Sequence, residues 1–160
     1  MKSKNKYRKG IFILTFNLEK NKPEYLILKR KLHWKGWEFP KAGIERFESK
    51  KKAVKREIKE ETGLEIIKIN SHKNKGKYLY KKEFKDRPGI IGQTFKLYSV
   101  EVKKGKIKID KREHSSAKWM NYKTAIKQLT HDNQKHSLKI VNDWLNKKTK
   151  VINPFFLTKS

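Results

Sequence analysis

The segment between Ser49 and Gly63 constrains the fold most, because it reads as one helix with defined ends. Ser49 is a suitable N-cap, and Gly63 suits the left-handed position that follows a helix. Between them, Val54 and Ile58 recur at helical spacing and mark an apolar side. We therefore predict a helix over Lys50–Thr62 whose apolar side packs on the body of the protein.

The same helix carries three carboxylates. Glu57, Glu60 and Glu61 have i, i+3, i+4 spacing, so a helix places them on one face, where like charges repel. A hard cation such as Mg²⁺ would relieve this repulsion, because Mg²⁺ prefers oxygen ligands and keeps waters for phosphate oxygens. The chain has 16 acidic residues, and five of them lie between residues 45 and 61. On spacing alone, a metal site and a salt-bridged surface helix remain equally open interpretations.

Residues 42–64 resemble the Nudix box, G-x5-E-x7-R-E-U-x-E-E-x-G-U, in which U is a large aliphatic residue. The matching residues are Glu48, Arg56, Glu57, Ile58, Glu60, Glu61, Gly63 and Leu64. Ala42 stands in place of the first glycine, and Phe47 stands where the family usually has glycine before its glutamate. Both departures fall in the loop before the helix, whereas the helix itself keeps the pattern.

Segments outside the box extend the resemblance. The tetrapeptide 37–40 (WEFP) and residues 91–93 (IGQ), followed by Lys96, are similar to segments of RNA 5′-pyrophosphohydrolases and dinucleoside polyphosphate hydrolases. Glu113 lies six residues before Trp119, which resembles the glutamate that many Nudix hydrolases carry on a loop facing the box. The resemblance runs in order over residues 9–145.

The resemblance implies metal-assisted hydrolysis of a phosphoanhydride bond. It implies Mg²⁺ as cofactor, with Mn²⁺ as an alternative, held by Glu48, Glu57, Glu60, Glu61 and Glu113. The implied catalytic residues are Arg56, Glu60, Glu61 and Glu113, with Glu60 or Glu113 as the base. The candidate substrate-binding residues are Arg30, Trp34, Lys41, Ala42, Gln93 and Lys96. The five histidines show no metal-ligand spacing and receive no role.

Periodicity elsewhere in the chain predicts the remaining elements. Strands are expected at 9–18, 25–28, 64–70, 77–84, 93–102 and 117–120, and helices at 122–129 and 134–146. We expect the first two strands to form a hairpin, residues 32–40 to form a loop and residues 71–76 to form a polar turn. This order indicates an α+β sandwich, and the resemblance implies a Nudix-type α/β/α sandwich with a mixed sheet and the box as strand–loop–helix–loop. A single domain over 1–150 and a C-terminal tail over 151–160 are expected.

Composition limits the partners and the location. The net charge of +27 favours a polyanion such as a nucleotide or the 5′ end of RNA. A general lysine bias explains it equally well, since only six of the 43 basic residues are arginine. The chain has no cysteine, which excludes disulfides and thiolate zinc sites. No apolar run approaches the roughly 20 residues that span a bilayer, so we expect a cytoplasmic protein without membrane contact.

These observations predict a pyrophosphohydrolase acting on a nucleoside polyphosphate. Charge favours the 5′ triphosphate or cap of RNA as the substrate. The alternative substrates are a dinucleoside polyphosphate or a nucleoside triphosphate. The alternative of a different class is a basic RNA-binding module without catalysis, against which the intact helix carboxylates argue.

Overall fold

The computed structural model describes residues 6–152, with side chains as far as Lys148. Within that range lie seven strands and three helices. The strands are β1 (Lys6–Asn17), β2 (Glu24–Arg30), β3 (Gly36–Glu38), β4 (Lys41–Gly43), β5 (Ile66–Leu79), β6 (Ile90–Val102) and β7 (His114–Met120). The helices are α1 (Lys50–Thr62), α2 (Tyr122–Gln128) and α3 (Asp132–Ile152).

Strand β1 is the centre of a mixed sheet. It pairs in parallel with β6 over most of its length, and the strand order is β3-β2-β1-β6-β5, with β4 on β1 and β7 on β2. The predicted hairpin of β1 and β2 is present but short, because the two strands pair at Phe16–Tyr25 and Asn17–Glu24. Beyond that point β2 pairs with β7 and β3, while β1 pairs with β4. The first two strands therefore diverge toward one end of the sheet.

Side-chain alternation along β1 builds the two cores. Ile11 and Ile13 pack with Val54 and Ile58 of α1, whereas Phe12 and its neighbours on the other face pack with α2 and α3. A strand buried on both faces is expected to be apolar throughout, as this segment is. The α/β/α sandwich with a mixed sheet is confirmed.

The prediction for residues 64–84 was wrong in one respect. Strand β5 runs without interruption from Ile66 to Leu79, so residues 71–76 are not a turn and no separate strand reaches residue 84. The pairing with β6 shifts register between Ser71 and Lys75, which indicates a bulge. An edge strand rich in lysine resembles a polar turn in composition, so composition alone does not distinguish the two. Within residues 32–40, predicted as loop, Gly36–Glu38 form the short strand β3. The strand expected at the start of the box is β4, Lys41–Gly43.

Helix α1 has the predicted ends, whereas α2 stops at Gln128, before the predicted end at 129, and α3 begins at Asp132, before the predicted start at 134. The Ser49 side chain accepts a hydrogen bond from the Lys52 backbone N–H at 3.2 Å, and Gly63 has a φ of 68°. Helix α3 continues to Ile152, past the predicted end at residue 146, and the expected boundary at 150 falls inside it. The rest of the predicted tail, residues 153–160, lies outside the described residues. Over the range that the structure covers, no helix has both the length and the apolar character required to cross a membrane.

Candidate active site

Helix α1 turns two of its three carboxylates toward the protein. Glu57 and Glu61 are buried, at 9% and 4% exposure, whereas the side chain of Glu60 is 60% exposed. The apolar stripe causes this difference, because Ile58 packs in the core and Glu57 and Glu61 lie on the same buried side of the helix. The helix thus presents an inward carboxylate pair, with Glu60 at its solvent edge.

Arg56 ties the helix to the loop before it. Its guanidinium donates two hydrogen bonds to the Glu48 carboxylate, at 2.8 and 2.9 Å, and one to the Gly43 carbonyl oxygen at 2.9 Å. It also contacts Glu57 and Glu60 at 3.3 and 3.5 Å. The bonds from Arg56 lower the pKa of Glu48 to about 2. Glu48 is therefore charged and bound to Arg56, and the loop is held against the helix.

Glu113 brings a further carboxylate to the buried pair. It lies just before β7, and its carbonyl oxygen accepts hydrogen bonds from the backbone N–H groups of Lys31 and Leu32 at 2.9 and 3.3 Å. Its side chain meets that of Glu61 and lies 4.0 Å from the Arg30 guanidinium. The structure therefore places Glu113 beside the box helix, as the sequence comparison implied.

Three carboxylates are crowded at this point. Burial and the neighbouring Glu61 raise the pKa of Glu57 to about 8 and that of Glu113 to about 7. Burial acts the same way on Glu61, but hydrogen bonds with His114 and Glu113 outweigh it and lower the pKa of Glu61. Ligand atoms of Glu61, Glu113 and His114 all lie within 4.8 Å of one another. The carboxylates of this cluster fit a divalent cation, whose charge would relieve the repulsion that now favours protonation.

His114 and Glu38 are site residues that the sequence pattern did not predict. Nδ1 of His114 lies 3.0 Å from Glu61 Oε2, and Nε2 of the same ring lies 3.0 Å from Glu38 Oε1. Burial alone would lower the pKa of His114, but the bonds with Glu38 and Glu61 raise it to about 9. The partners lie 53 and 76 residues away in the chain, so no local spacing reveals the contact. The available signal was a histidine directly after Glu113.

Glu38 in turn pairs with two predicted substrate-binding cations. Arg30 Nη1 donates to Glu38 Oε1 at 3.2 Å, and Lys41 Nζ lies 2.9 Å from Glu38 Oε2. Burial would raise the pKa of Glu38, but Lys41, His114 and Arg30 together lower it to about 2. Glu38 is therefore a buried, charged carboxylate that orients Arg30 and Lys41.

A cavity of about 600 Å³ opens beside these groups. Its lining includes the site carboxylates Glu57 and Glu113. The cations on its wall are Arg8, Arg30, Lys35, Lys41, Lys81, Lys82 and Arg87. The aromatic rings on its wall are His33, Trp34, Phe12, Tyr78, Tyr80, Phe84 and His131. A cavity with carboxylates at one place and many cations around it suits a ligand with a polyphosphate and an aromatic base.

The aromatic side chains of the cavity form two groups. Trp34 packs edge-on against His131 with ring centroids 4.5 Å apart, and Lys41 lies 5.6 Å from the Trp34 ring. On the loop after β5, Tyr80 and Phe84 lie 4.7 Å apart. Both groups offer ring faces or edges to a nucleobase.

The predicted substrate residues divide into those that line the cavity and Lys96. Arg30, Trp34, Lys41, Ala42 and Gln93 are part of the lining. Lys96 lies three positions after Gln93 on β6, so its side chain is on the opposite face of the strand, with its ammonium 5.9 Å from the Tyr98 ring. Because side chains alternate between the two faces of a strand, Gln93 faces the cavity and Lys96 does not.

Both the sequence and the site match a known family. The NUDIX domain family covers residues 6–141 of the chain. The chain belongs to the Nudix hydrolase family. A Nudix relative, the RNA pyrophosphohydrolase of a Nitratiruptor species, is 33% identical over 134 residues, which cover 79% of this chain and 86% of the relative.

Solved Nudix structures share the fold. The Ap4A hydrolase of C. elegans in a binary complex superposes with a TM-score of 0.68 at 21% identity, covering 88% of this chain and 98% of that one. The dihydroneopterin triphosphate pyrophosphohydrolase of E. coli gives a TM-score of 0.68 at 17% identity, covering 83% and 94%. At these identities the likeness establishes the Nudix fold. The sequence-based prediction of a Nudix sandwich is confirmed.

Proposed function

We propose that this Nudix hydrolase cleaves a phosphoanhydride bond at the 5′-polyphosphate end of RNA. The observation that supports a hydrolase is that one cavity is lined both by the carboxylates Glu57 and Glu113 and by the cations Arg30 and Lys41. A polyphosphate needs cations to bind and a carboxylate cluster to hold the metal that activates it.

The carboxylates are the proposed metal ligands. Glu57, Glu61 and Glu113 supply the inner set, and Glu60 at the solvent edge of α1 completes the predicted helix ligands. Mg²⁺ suits an all-oxygen donor set, and Mn²⁺ is also compatible with it. Held by these residues, a divalent ion would neutralise the diphosphate and lower the pKa of an attacking water.

The other residues bind, orient and exchange protons. Arg30 and Lys41 contact the phosphate oxygens from the cavity wall, where Glu38 holds both in place. Arg56 fixes the position of the helix carboxylates relative to the loop. Glu113 accepts the proton of the attacking water, because its side chain lies on the cavity wall and meets Glu61 of the carboxylate cluster.

The RNA substrate is supported by the relative and by charge. The Nitratiruptor relative, at 33% identity, is an RNA pyrophosphohydrolase. Lysines of the loop after β5, Lys81 and Lys82, extend the cationic lining beyond the carboxylates. A longer strand would use such charges, whereas a free nucleotide uses only those beside its phosphates.

A dinucleoside polyphosphate is the second candidate. The two aromatic groups of the cavity, Trp34 with His131 and Tyr80 with Phe84, match a ligand with a base at each end. The fold is also that of an Ap4A hydrolase from C. elegans.

A salt series distinguishes the two substrates. We expect kcat/KM for a 5′-triphosphorylated RNA of about ten nucleotides to exceed that for diadenosine tetraphosphate at low salt. The kcat/KM for the RNA should fall steeply as KCl is added. Each phosphate neutralised by the protein adds roughly −0.7 to the slope of log affinity against log salt concentration for a single strand. A higher kcat/KM for the dinucleotide at every salt concentration would overturn the RNA assignment and leave the hydrolase assignment in place.

A further inference from the structure

The buried side chains of His114 and Glu38 join two parts of the site. His114 contacts Glu61 of the carboxylate cluster through Nδ1, at 3.0 Å, and Glu38 through Nε2, at 3.0 Å. Glu38 then holds Arg30, at 3.2 Å, and lies 2.9 Å from the Lys41 ammonium. A continuous chain of polar contacts therefore runs from the carboxylate cluster to the cations of the cavity wall.

Burial makes this chain rigid. The side chains of His114, Glu38 and Glu61 are 3%, 1% and 6% exposed. Because water has little access, a lost contact is not replaced by a bond to solvent. The imidazole has both nitrogens engaged, so any rotation of the ring breaks a contact at Glu61 or at Glu38.

Backbone pairing fixes where the imidazole lies. His114 pairs with Arg30 in the ladder between β2 and β7, and the register shifts between Lys29 and Arg30, where the partner changes from Ser116 to His114. A bulge of this kind re-aims side chains at the end of a strand. His114 is therefore held by the sheet and not by a free loop.

We propose that His114 is a positioning residue that orients Glu61 through Nδ1 and, through Glu38, the phosphate-binding pair Arg30 and Lys41. This inference rests on the proposed function, because it assumes that Glu61 is a metal ligand and that the two cations bind phosphate. Residues that orient ligating side chains in this way affect metal affinity or activity by about 10–100-fold when they are replaced.

Two conservative variants separate the two arms of the imidazole. In His114→Asn the amide can occupy the region of Nδ1 and keep a donor near Glu61, but it is too short to reach Glu38. In His114→Gln the longer amide can reach the region of Nε2 and keep the contact with Glu38, but it leaves Glu61 without its partner. His114→Phe removes both contacts and keeps the ring volume.

Metal affinity is measured without substrate, by the EPR signal of free Mn²⁺ during titration of the protein. We expect about tenfold weaker Mn²⁺ binding in His114→Gln and His114→Phe and near wild-type binding in His114→Asn. His72 lies on β5, where its Nε2 forms a hydrogen bond with Ser99 Oγ of β6 at 2.7 Å. His72→Asn and His72→Gln are matched controls that should leave the Mn²⁺ affinity unchanged.

Steady-state kinetics with triphosphorylated RNA, at Mn²⁺ saturating for each variant, tests the other arm. We expect His114→Asn to raise KM severalfold with a smaller effect on kcat, and His114→Gln to lower kcat with KM near that of wild type. Thermal unfolding of each variant establishes that it is folded at the assay temperature.

The outcomes are distinct. If the wild type binds no Mn²⁺ and releases no product, the proposed function fails and the inference fails with it. If the wild type binds Mn²⁺ and turns over but the Asn and Gln variants match each other in affinity and KM, the positioning role alone is refuted. Nitrogen modulation from an imidazole in the pulsed EPR spectrum of bound Mn²⁺ would also refute it, because His114 would then be a ligand.

Discussion

Replacing Phe47 with glycine should stabilise the protein. Phe47 has a φ of 62°, in the left-handed region, and is 93% exposed. Its ring contacts the Arg46 guanidinium at 4.9 Å. For a residue with a Cβ, the left-handed conformation destabilises the folded state by about 1–2 kcal/mol. Glycine avoids this strain but lowers the free energy of unfolding by about 0.5–1 kcal/mol, because its unfolded chain has more conformational entropy. The difference predicts a gain of about 0.5–1 kcal/mol, which raises Tm by about 1–4 °C for a chain of this size.

Urea unfolding and thermal unfolding measure the gain. Phe47→Ala is the matched control, because it removes the exposed ring and keeps the Cβ that causes the strain. We expect the alanine variant to be close to wild type in Tm. If alanine stabilised the protein as much as glycine, the ring and not the backbone would be responsible. If glycine lowered Tm, backbone strain at Phe47 would not limit the stability of the loop before α1.

Three further predictions concern the site, the core and the response to acid. Glu113→Gln should lower kcat more than it raises KM, because a base acts in the transition state; wild-type kcat would remove Glu113 from the mechanism. Tyr25→Phe should cost about 1 kcal/mol in urea unfolding, since the buried hydroxyl donates to Asn142 Oδ1 at 2.7 Å; an unchanged midpoint would contradict this. Because Arg56 lowers the pKa of Glu48 to about 2, the stability this pair contributes is present above the unfolded pKa of about 4.3 and lost as pH falls toward 2. Between pH 5 and pH 3 the urea midpoint should fall less in Glu48→Gln than in wild type. An equal fall in both proteins would contradict a stabilising Arg56–Glu48 pair.

Local patterns in the sequence predicted the helix of the box and the central strand of the sheet. Helix α1 ends where Ser49 and Gly63 predict, because capping depends on adjacent residues. The central strand β1 was recognisable because a strand covered on both faces is apolar throughout. Glu113 could be placed near the box through the resemblance, which carries information about distant contacts.

Features that depend on distant partners could not be predicted. The pairing of β5 with β6 keeps residues 71–76 in a strand although their composition resembles a turn. The contacts of His114 join residues of β3, α1 and β7. Lys96 was grouped with Gln93 by proximity in the chain, although the alternation of the strand places it on the other face.

Product release from 5′-triphosphorylated RNA, followed with Mg²⁺ and with EDTA, is the decisive measurement of metal-assisted hydrolysis by this protein. We predict that release requires Mg²⁺ and falls by about a hundredfold or more in both Glu57→Gln and Glu61→Gln, because each exchanges a proposed metal-binding carboxylate for a neutral amide of similar shape. Circular dichroism and thermal unfolding confirm that the variants are folded. Near wild-type release from folded Glu57→Gln and Glu61→Gln at saturating Mg²⁺, or release that persists in EDTA, would contradict the claim that this carboxylate cluster performs metal-assisted hydrolysis.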